Sequence, residues 1–438
     1  MHPRNIYATP PDFVALARSY PPLRPYVFLT HTGPSIDFKN PIAQRRLTEA
    51  LLRIDFDISL SLPENRLCPP IPNRLNYVLW IQDIIRETAP DVAVIRGIDI
   101  GTGASTVYPL LACRLESTWQ FVATDVDKDS LTSARENVNR NHLSDRVVIT
   151  ETSPSKPLLF PLEKDTTSMY EFTLCNPPFY SSADEMAQSA ETKEFGPNAV
   201  CTGAEVEMIT PGGEVAFVSR IFMESLRHKA RCRWYTSMLG KMISLHEIVS
   251  LLRNNLVDNY AITEFVQGQT RRWAIAWSFG TRRLPDVHAR ISSPALQGIM
   301  PLRTTLYQPL ANITSTALLS GILSQVLADV DGVSVILGSS SSGDHIYLVR
   351  ASANTWSRSA RRKKTTAPLQ TDMPSQSTPV MQCRIRCRHG LSPTVTDNHK
   401  LQGAYLEYQW IDGKERSVFE SFVSHVNRKV ASSRLTNR

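Results

Sequence analysis

The chain is 438 residues long, with 42% hydrophobic, 8% aromatic and 20% charged residues. That much apolar side chain can offset the entropy of folding, which excludes global disorder, and the length calls for two or three domains of roughly 100–200 residues each. No apolar run approaches the roughly 20 residues of a membrane-spanning helix, and residues 1–12 lack the apolar stretch of a secretory signal, so neither a membrane-spanning nor an exported protein is expected.

Seven cysteines, Cys68, Cys113, Cys175, Cys201, Cys232, Cys383 and Cys387, are odd in number and scattered, a pattern of reduced thiols in cytosol or nucleus rather than of a disulfide framework. Cys383 and Cys387 stand near His389 and His399, but their spacings fit no familiar zinc site, and no metal is expected. Forty-eight Lys and Arg against 41 Asp and Glu leave a charge of +7. The window 220–283 holds eleven basic residues against Glu224, Glu247, Asp258 and Glu264, an excess equal to that of the whole chain. Charge concentrated in this way points to a polyanionic partner. A second basic cluster, Arg358 with 361–364, lies in a polar stretch that reads as a linker.

Leu75, Val78, Leu79, Ile81, Ile84 and Ile85 recur at helical spacing and predict an amphipathic helix over 74–88. A strand over 94–100 then runs into Gly101-Thr102-Gly103, and Val107, Leu110, Leu111 and Leu115 predict a buried helix after it. Strands over 121–124, 147–150 and 171–175 and a helix over 130–141 continue the alternation, so an α/β domain with a parallel sheet covered on both faces is expected. Beyond Gly212-Gly213 come a helix over 214–226, a strand over 234–239, a helix over 245–252 and β-rich runs over 261–266 and 273–279. A smaller α+β domain follows over 285–438, with a helix at 315–327, strands at 333–337, 345–349 and 404–411, a last helix near 416–430, and a disordered loop over 351–378.

Gly101 and Gly103 sit where a strand hands over to a helix, so the backbone can approach a ligand beside free helix amides. Ser105 and Thr106 fall where a third glycine of the diphosphate-binding pattern would stand, which argues against a pyrophosphate. Asp125 ends the next strand, where a carboxylate can take both hydroxyls of a ribose. An adenosyl cofactor without a diphosphate fits, namely S-adenosylmethionine. Asn176-Pro177-Pro178-Phe179 ends a later strand, and its two prolines fix the backbone and aim carbonyls outward. The exocyclic amine of a base is a poor nucleophile. Hydrogen bonds from it to the Asn176 side-chain oxygen and the Pro177 carbonyl would hold the nitrogen in line with a sulfonium methyl, and Phe179 would stack on the ring. Arg74, at the start of its helix, could take the methionine carboxylate in bidentate fashion.

These motifs resemble one family, the RNA adenine-N6 methyltransferases that include the eukaryotic U6 small nuclear RNA enzyme and bacterial large-subunit ribosomal RNA relatives. The resemblance covers residues 1 to about 279 and rests in order on M-H-P-R-N at the start, P-P-D-F at 10–13, C-P-P-I-P at 68–72, N-R-L-N-Y at 73–77, D-I-G-T-G-A-S at 99–105, C-N-P-P-F at 175–179 and Q-G-Q-T-R-R-W at 267–273. N-R-L-N-Y and R-W-Y-T-S-M-L-G-K at 233–241 look closer to the eukaryotic branch. It implies an N-terminal RNA-binding arm and lead-in over 1–70, a Rossmann-like class I S-adenosylmethionine-dependent methyltransferase domain over 71–284, and an accessory domain over 285–438 matched only in L-E-Y-Q-W and F-E-S-F-V-S-H-V. It also implies cofactor contacts from Arg74, Gly101, Gly103, Ser105 and Asp125, with Asn176 between cofactor and base. A further contact falls at 155–157, where proline replaces a threonine and only a backbone contact survives. Arg4 matches an RNA-contacting arginine of the arm, whereas Ile6 stands where the family has another basic residue.

The basic window, with Arg231, Arg233, Lys241, Arg271 and Arg272 as candidates, is expected to supply the RNA phosphate contacts. The N-P-P-F signature also serves protein glutamine and DNA adenine methylation and does not separate these substrates; the positive surface favours structured RNA, U6 small nuclear RNA first. A different class of reading stays open, in which the protein is chiefly an RNA-binding or splicing factor with incidental turnover. The expected location is the nucleus ahead of the cytoplasm. The polar, acidic loop over 181–197 after the catalytic turn is expected to move as a gate.

Overall fold

The computed structural model describes residues 1–191, 203–268, 270–310, 313, 315–339, 345–357, 360, 379–391 and 402–433. Contacts divide the chain into two units, 1–280 with 288–301 and 281–287 with 302–438, so that it passes between them more than once.

The first unit opens with α1 (Phe13–Ser19), the hairpin β1 (Val27–Thr30) and β2 (Gly33–Ile36), α2 (Pro41–Phe56) and α3 (Ile71–Thr88). There follow β3 (Ile95–Ile100), α4 (Val107–Leu115), β4 (Trp119–Asp125), α5 (Lys128–Arg140), β5 (Val147–Glu151), α6 (Phe160–Lys164) and β6 (Tyr170–Cys175). The chain continues through α7 (Ala183–Glu191), α8 (Glu205–Met208), α9 (Gly213–His228), β7 (Cys232–Leu239), α10 (Met242–Asn254), β8 (Tyr260–Gln267) and β9 (Thr270–Trp277).

The strands form one sheet in the order β5-β4-β3-β6-β7-β9-β8. The first five are parallel, as the alternation of strands and helices predicts. The last two run antiparallel, because Gly268, at φ 55°, turns the chain straight back and leaves no crossover helix. Strand order reverses between β3 and β6, and Ile100 pairs with Cys175, so the turns that follow these strands leave the sheet side by side. A crevice at such a reversal is where open α/β sheets bind ligands. β6 is buried at every position, which only a central strand with covered faces requires. Behind it Tyr235 stacks on Trp277 at 5.9 Å, and the Trp277 and Trp234 indole N–H groups donate to Ser225 Oγ and Thr88 Oγ1, so neither ring buries an orphan donor.

The first seventy residues are stitched to the sheet domain. Asn5 Nδ2 donates to Pro72 O and Asn76 Oδ1 on α3, and the Tyr7 hydroxyl donates to Asp55 on α2. Asn137 and Asn141 of α5 bond the backbone of Ser61 and Ser59 in both directions, replacing the strand partner this segment lacks. α2 begins at Asn40, whose side chain caps Ile42 N and Ala43 N, and stops at Asp57 in the left-handed region.

The short α11 (Asp286–Ala289) spans the division at 287/288, and the second unit then holds β10 (Thr305–Leu310), α12 (Thr316–Ala328), β11 (Val333–Ser339), β12 (His345–Ala351), β13 (Met381–Leu391), β14 (Gln402–Asp412) and α13 (Arg416–Ser432). Its sheet is antiparallel, in the order β10-β14-β13-β12-β11. Cys383, Ile385 and Cys387 pack with Leu319, Leu323, Phe419 and Phe422 of the two long helices, which places Arg384, Arg386 and Arg388 on the other face. The loop expected over 351–378 is described only in part. Its start is ordered by Trp356, which packs edge-on to Phe422 at 5.1 Å and donates to Ser421, while 358–359 and 361–378 lie outside the described residues.

Gly97 marks the tightest point of the central sheet: a Cβ there would lie 2.6 Å from Phe172 Cζ and 2.9 Å from Phe121 Cε1. Gly97→Ala is therefore expected to destabilise the first unit by about 1–3 kcal/mol, measured as a lowered thermal midpoint; an unchanged midpoint would show that β4 and β6 give way freely.

Candidate active site

The glycine turn owes its shape to φ values of 70° at Gly101 and 62° at Gly103, which only glycine adopts without strain. Gly101 N and Thr102 N both donate to Thr124 O at 2.9 Å, tying the end of β3 to the end of β4. Asp125 closes the arrangement. Its Oδ2 accepts from Gly103 N at 2.8 Å, and its Oδ1 accepts from Val126 N at 2.8 Å and Asp127 N at 3.0 Å. Burial raises its pKa while these amides pull it back down, so the carboxylate is held rigidly and still has lone pairs for ribose hydroxyls.

Across the crevice, Arg74 on the first turn of α3 is only 7% exposed. Its Nη1 lies 3.4 Å from Asn176 Oδ1 and 3.7 Å from Met238 Sδ, and its guanidinium stands 5.6 Å over the Tyr108 ring. Among the described residues it has no carboxylate partner, a costly condition for a buried cation. Asn176 is set by the chain beneath it: Cys175 N donates to the Tyr77 hydroxyl, which pairs with Thr236 Oγ1 at 2.6 Å, and that hydroxyl donates to Thr173 O at 2.7 Å. Beyond the two prolines, the Phe179 ring has the Gly240 backbone and the Arg272 guanidinium as neighbours, the latter 5.5 Å from its centroid. The segment after it is tied down where Tyr180 N donates to Met208 O and Thr210 N donates to Tyr180 O. Of the expected gate over 181–197, residues 192–197 lie outside the described residues.

One cleft is lined by Arg74, Gly101, Gly103, Ser105, Asp125 and Asn176, together with Pro178. Val126, Thr152, Leu158 and Phe217 line it as well, a largely apolar stretch suited to a flat base. Residues 155–157 are not in its lining, though Thr152 and Leu158 on either side are, and the Lys156 carbonyl accepts from Arg220.

Several groups here were invisible in the sequence. Glu207 faces the glycine turn, with Oε1 3.4 Å from where a Gly103 Cβ would sit, and its Oε2 accepts from Leu67 N and Ala204 N. Asp99 lies beneath the cleft floor, 1% exposed, with the Thr102 hydroxyl beside it but no well-formed hydrogen bond to either oxygen; Thr152 Oγ1 is orphaned. Buried polar atoms left unpaired around a cleft mark a ligand that completes them. S-adenosylmethionine fits: Arg74 can take its carboxylate, Asp99 offers an anion beneath its ammonium, and Asp125 can take its ribose.

The basic candidates separate. Arg271, Arg272 and Lys241 stand at the catalytic end of the sheet, Arg271 paired with Glu264 at 3.0 Å and Lys241 with Glu185. The structure does not bring Arg231 and Arg233 there. They flank the opposite end of β7, where Arg231 donates to the carbonyls of Leu162, Asp165 and Ser168 and Arg233 to that of Thr88. Arg4 is engaged by Asp83 at 2.5 Å, by Gln82 and by the Leu79 carbonyl, pinning the arm to α3. Among the described residues, no group of three or more His, Cys, Asp or Glu could hold a metal ion.

A glycine turn, an acidic strand end and an Asn-Pro-Pro-Phe turn side by side at the carboxyl edge of a parallel sheet define an S-adenosylmethionine-dependent methyltransferase. The chain belongs to a family described as RNA methyltransferase, whose pattern matches residues 1–281. It is 35% identical over 403 residues to the U6 small nuclear RNA (adenine-(43)-N(6))-methyltransferase of Schizosaccharomyces pombe, covering 91% of this chain and 96% of that protein. To the RNA N(6)-adenosine-methyltransferase mettl16 of Xenopus laevis it is 37% identical over 380 residues, 83% of this chain and 69% of the relative. Against other vertebrate relatives it spans between half and three fifths of their length, 59% in Danio rerio and 50% in the human protein. The crystal structure of the human Mettl16 catalytic domain with the MAT2A 3′UTR hairpin 1 matches with a TM-score of 0.59 and 43% identity, covering 64% of this chain and 95% of that one. The N-terminal domain of human METTL16 in complex with SAH matches with a TM-score of 0.54 and 42% identity, covering 64% and 98%.

Burial pushes the Asp99 carboxyl up to about 7; the Thr102 hydroxyl opposes the shift and the Asp125 charge adds to it. A raised acid binds a proton in the folded state that the unfolded chain has already lost, so this group lowers stability as pH rises from about 4 to about 7. A ligand ammonium favours the ionised form. The affinity for S-adenosylhomocysteine is thus expected to rise with pH and level off above about 7, and Asp99→Asn to bind more weakly with a flat profile; calorimetric titration from about pH 5 to about pH 9 checks it, and an unchanged profile in the variant would remove Asp99 from cofactor binding.

Proposed function

We propose that the protein methylates the exocyclic N6 of an adenine flipped out of a structured RNA, with U6 small nuclear RNA as its substrate. The observation that carries this is the position of Asn176, in the lining of the cofactor cleft and three residues before a stacking ring. The bound cofactor supplies an electrophilic methyl group. Asn176 Oδ1 and the Pro177 carbonyl accept the two amine protons and hold the nitrogen toward the cleft; Phe179 carries the base; Arg74 keeps Asn176 in place from the cofactor side at 3.4 Å. No ionisable base is needed before attack, because the nitrogen gives up its proton once it has become cationic.

RNA rather than protein or DNA is supported by the likeness to a hairpin-bound domain and by the cations at the catalytic end. The U6 substrate is supported by the Schizosaccharomyces pombe relative, which this chain matches over 96% of its length. In this reading Arg271, Arg272 and Lys241 contact the backbone beside the flipped base, Arg4 contacts it through the arm, and Arg231 and Arg233 are structural. The second unit serves as an accessory RNA-binding domain, supported by the Arg384, Arg386 and Arg388 face; the basic stretch at 361–364 lies outside the described residues. A nuclear location follows from the U6 substrate and stands or falls with it.

Asn176→Ala should lower methyl transfer to a U6 hairpin by at least about 10²–10³-fold while keeping affinity for S-adenosylhomocysteine, read with labelled cofactor and nucleoside mass spectrometry. Methylation that survives in the variant, or that appears only on protein or DNA, would sink the assignment. Replacing Arg271 and Arg272 together with Ala should weaken RNA binding and make its logarithmic salt dependence shallower by about 1–2; an unaltered slope would place the phosphate contacts elsewhere.

A further inference from the structure

Glu214 belongs to no motif, yet it is 2% exposed and opens α9 directly behind the catalytic turn. Both of its oxygens are engaged. Oε2 accepts from Gly240 N at 2.6 Å, while Oε1 accepts from Lys241 N at 2.9 Å and from the Ser244 hydroxyl at 2.6 Å. Three donors on one buried carboxylate lock the turn between β7 and α10. That turn is the backing of the Phe179 ring: a Cβ on Gly240 would lie 2.8 Å from Phe179 Cδ1, 3.1 Å from Cε1 and 3.2 Å from Glu214 Oε2.

A guanidinium also lies near the ring. Arg272 stands 5.5 Å from the ring centroid. Burial and then the like charge of Arg74 depress its pKa, and Glu214 is the carboxylate that opposes them.

We propose that Glu214 is a positioning residue for the target base: acting through Gly240, it fixes the Phe179 ring on which the adenine stacks. This rests on the methyl-transfer reading above. It assigns a function to the absence of a side chain at residue 240, where any other residue would push the ring, and with it the acceptor nitrogen, out of line. Small displacements of a reacting group cost large factors in rate.

The test compares Glu214→Gln, Gly240→Ala, Phe179→Ala and the Glu214→Gln/Phe179→Ala double variant with the wild type on one RNA hairpin. Glu214→Gln keeps the shape but sets an NH2 against backbone N–H donors. Both it and Gly240→Ala are expected to lower kcat about tenfold or more, leave S-adenosylhomocysteine affinity within about twofold, and reduce the stacking quench of 2-aminopurine placed at the target position. In the Phe179→Ala background the Glu214→Gln loss should shrink to less than about twofold, because the two act as one unit. Additive losses, a parallel loss of cofactor affinity, or wild-type rates would each overturn the proposal. If Glu214→Gln fails to fold, Gly240→Ala carries the test through the same rate and quench readouts. A wild-type protein that methylates no RNA would overturn the function itself, whereas an active wild type matched by both variants overturns this inference alone.

Discussion

The register of two neighbouring strands governs the whole site. Ile100 pairs with Cys175 across β3 and β6, so Gly101 and Asn176 are the next residues out of the sheet on strands about 4.8 Å apart. One turn must accommodate a cofactor and the other must present acceptors to a nucleophile, and methyl transfer needs both within bonding reach of the same methyl group. A slip of one residue in this pairing would turn every β6 side chain to the opposite face. The hydroxyl chain from Cys175 N through Tyr77 and Thr236 to Thr173 is buried where such a slip would be felt first, and it ties β6 to α3, the helix that also delivers Arg74.

Around this frame the protein accumulates charge that it does not neutralise internally. Asp99 has no well-formed hydrogen bond, and Arg74 leans on an amide, a thioether and a ring. Each of these arrangements costs stability in the free protein. They are compatible with a folded chain because the surrounding sheet is buried on both faces and the Trp and Tyr core behind β7 is fully packed. A zwitterionic cofactor seated in this cleft would bring an anion to Arg74 and a cation toward Asp99, so that binding would relieve a penalty as well as form contacts. Glu214 differs: its charge is satisfied by three donors of the protein itself, as befits a group that organises the site and touches no ligand.

What could be read from the amino-acid order follows from how local each demand is. The glycine turn, the acidic end of β4 and the Asn-Pro-Pro-Phe turn are each set by backbone geometry over a few residues, and all three fall in one cleft. Asp99 lay inside the quoted D-I-G-T-G-A-S segment, but nothing in the segment tells that its carboxylate is left without a well-formed hydrogen bond. Glu207 and Glu214 were out of reach because their partners, Leu67 and Gly240, lie 140 and 26 residues away. In the second unit, β13 escaped notice because arginines alternate with cysteines there, and the run was weighed as a metal spacing instead of as a strand with one buried face.

The basic window shows most clearly where counting residues stops short of geometry. Arg231, Arg233, Lys241, Arg271 and Arg272 contribute equally to net charge, yet β7 runs parallel to β6, so its first residues and its last stand at opposite edges of the sheet. Eight strand residues separate these edges by roughly 25 Å, about three Debye lengths at physiological salt. A cation at the far edge exerts almost no pull on a phosphate at the near one. The far pair instead serves carbonyls that would otherwise lack donors, and guanidinium suits that role because its fixed fork reaches several acceptors at once. Electrostatic attraction for RNA is therefore a property of the direction in which a strand runs, and the antiparallel return of β9 is what carries Arg271 and Arg272 back to the edge where Lys241 and Phe179 already stand.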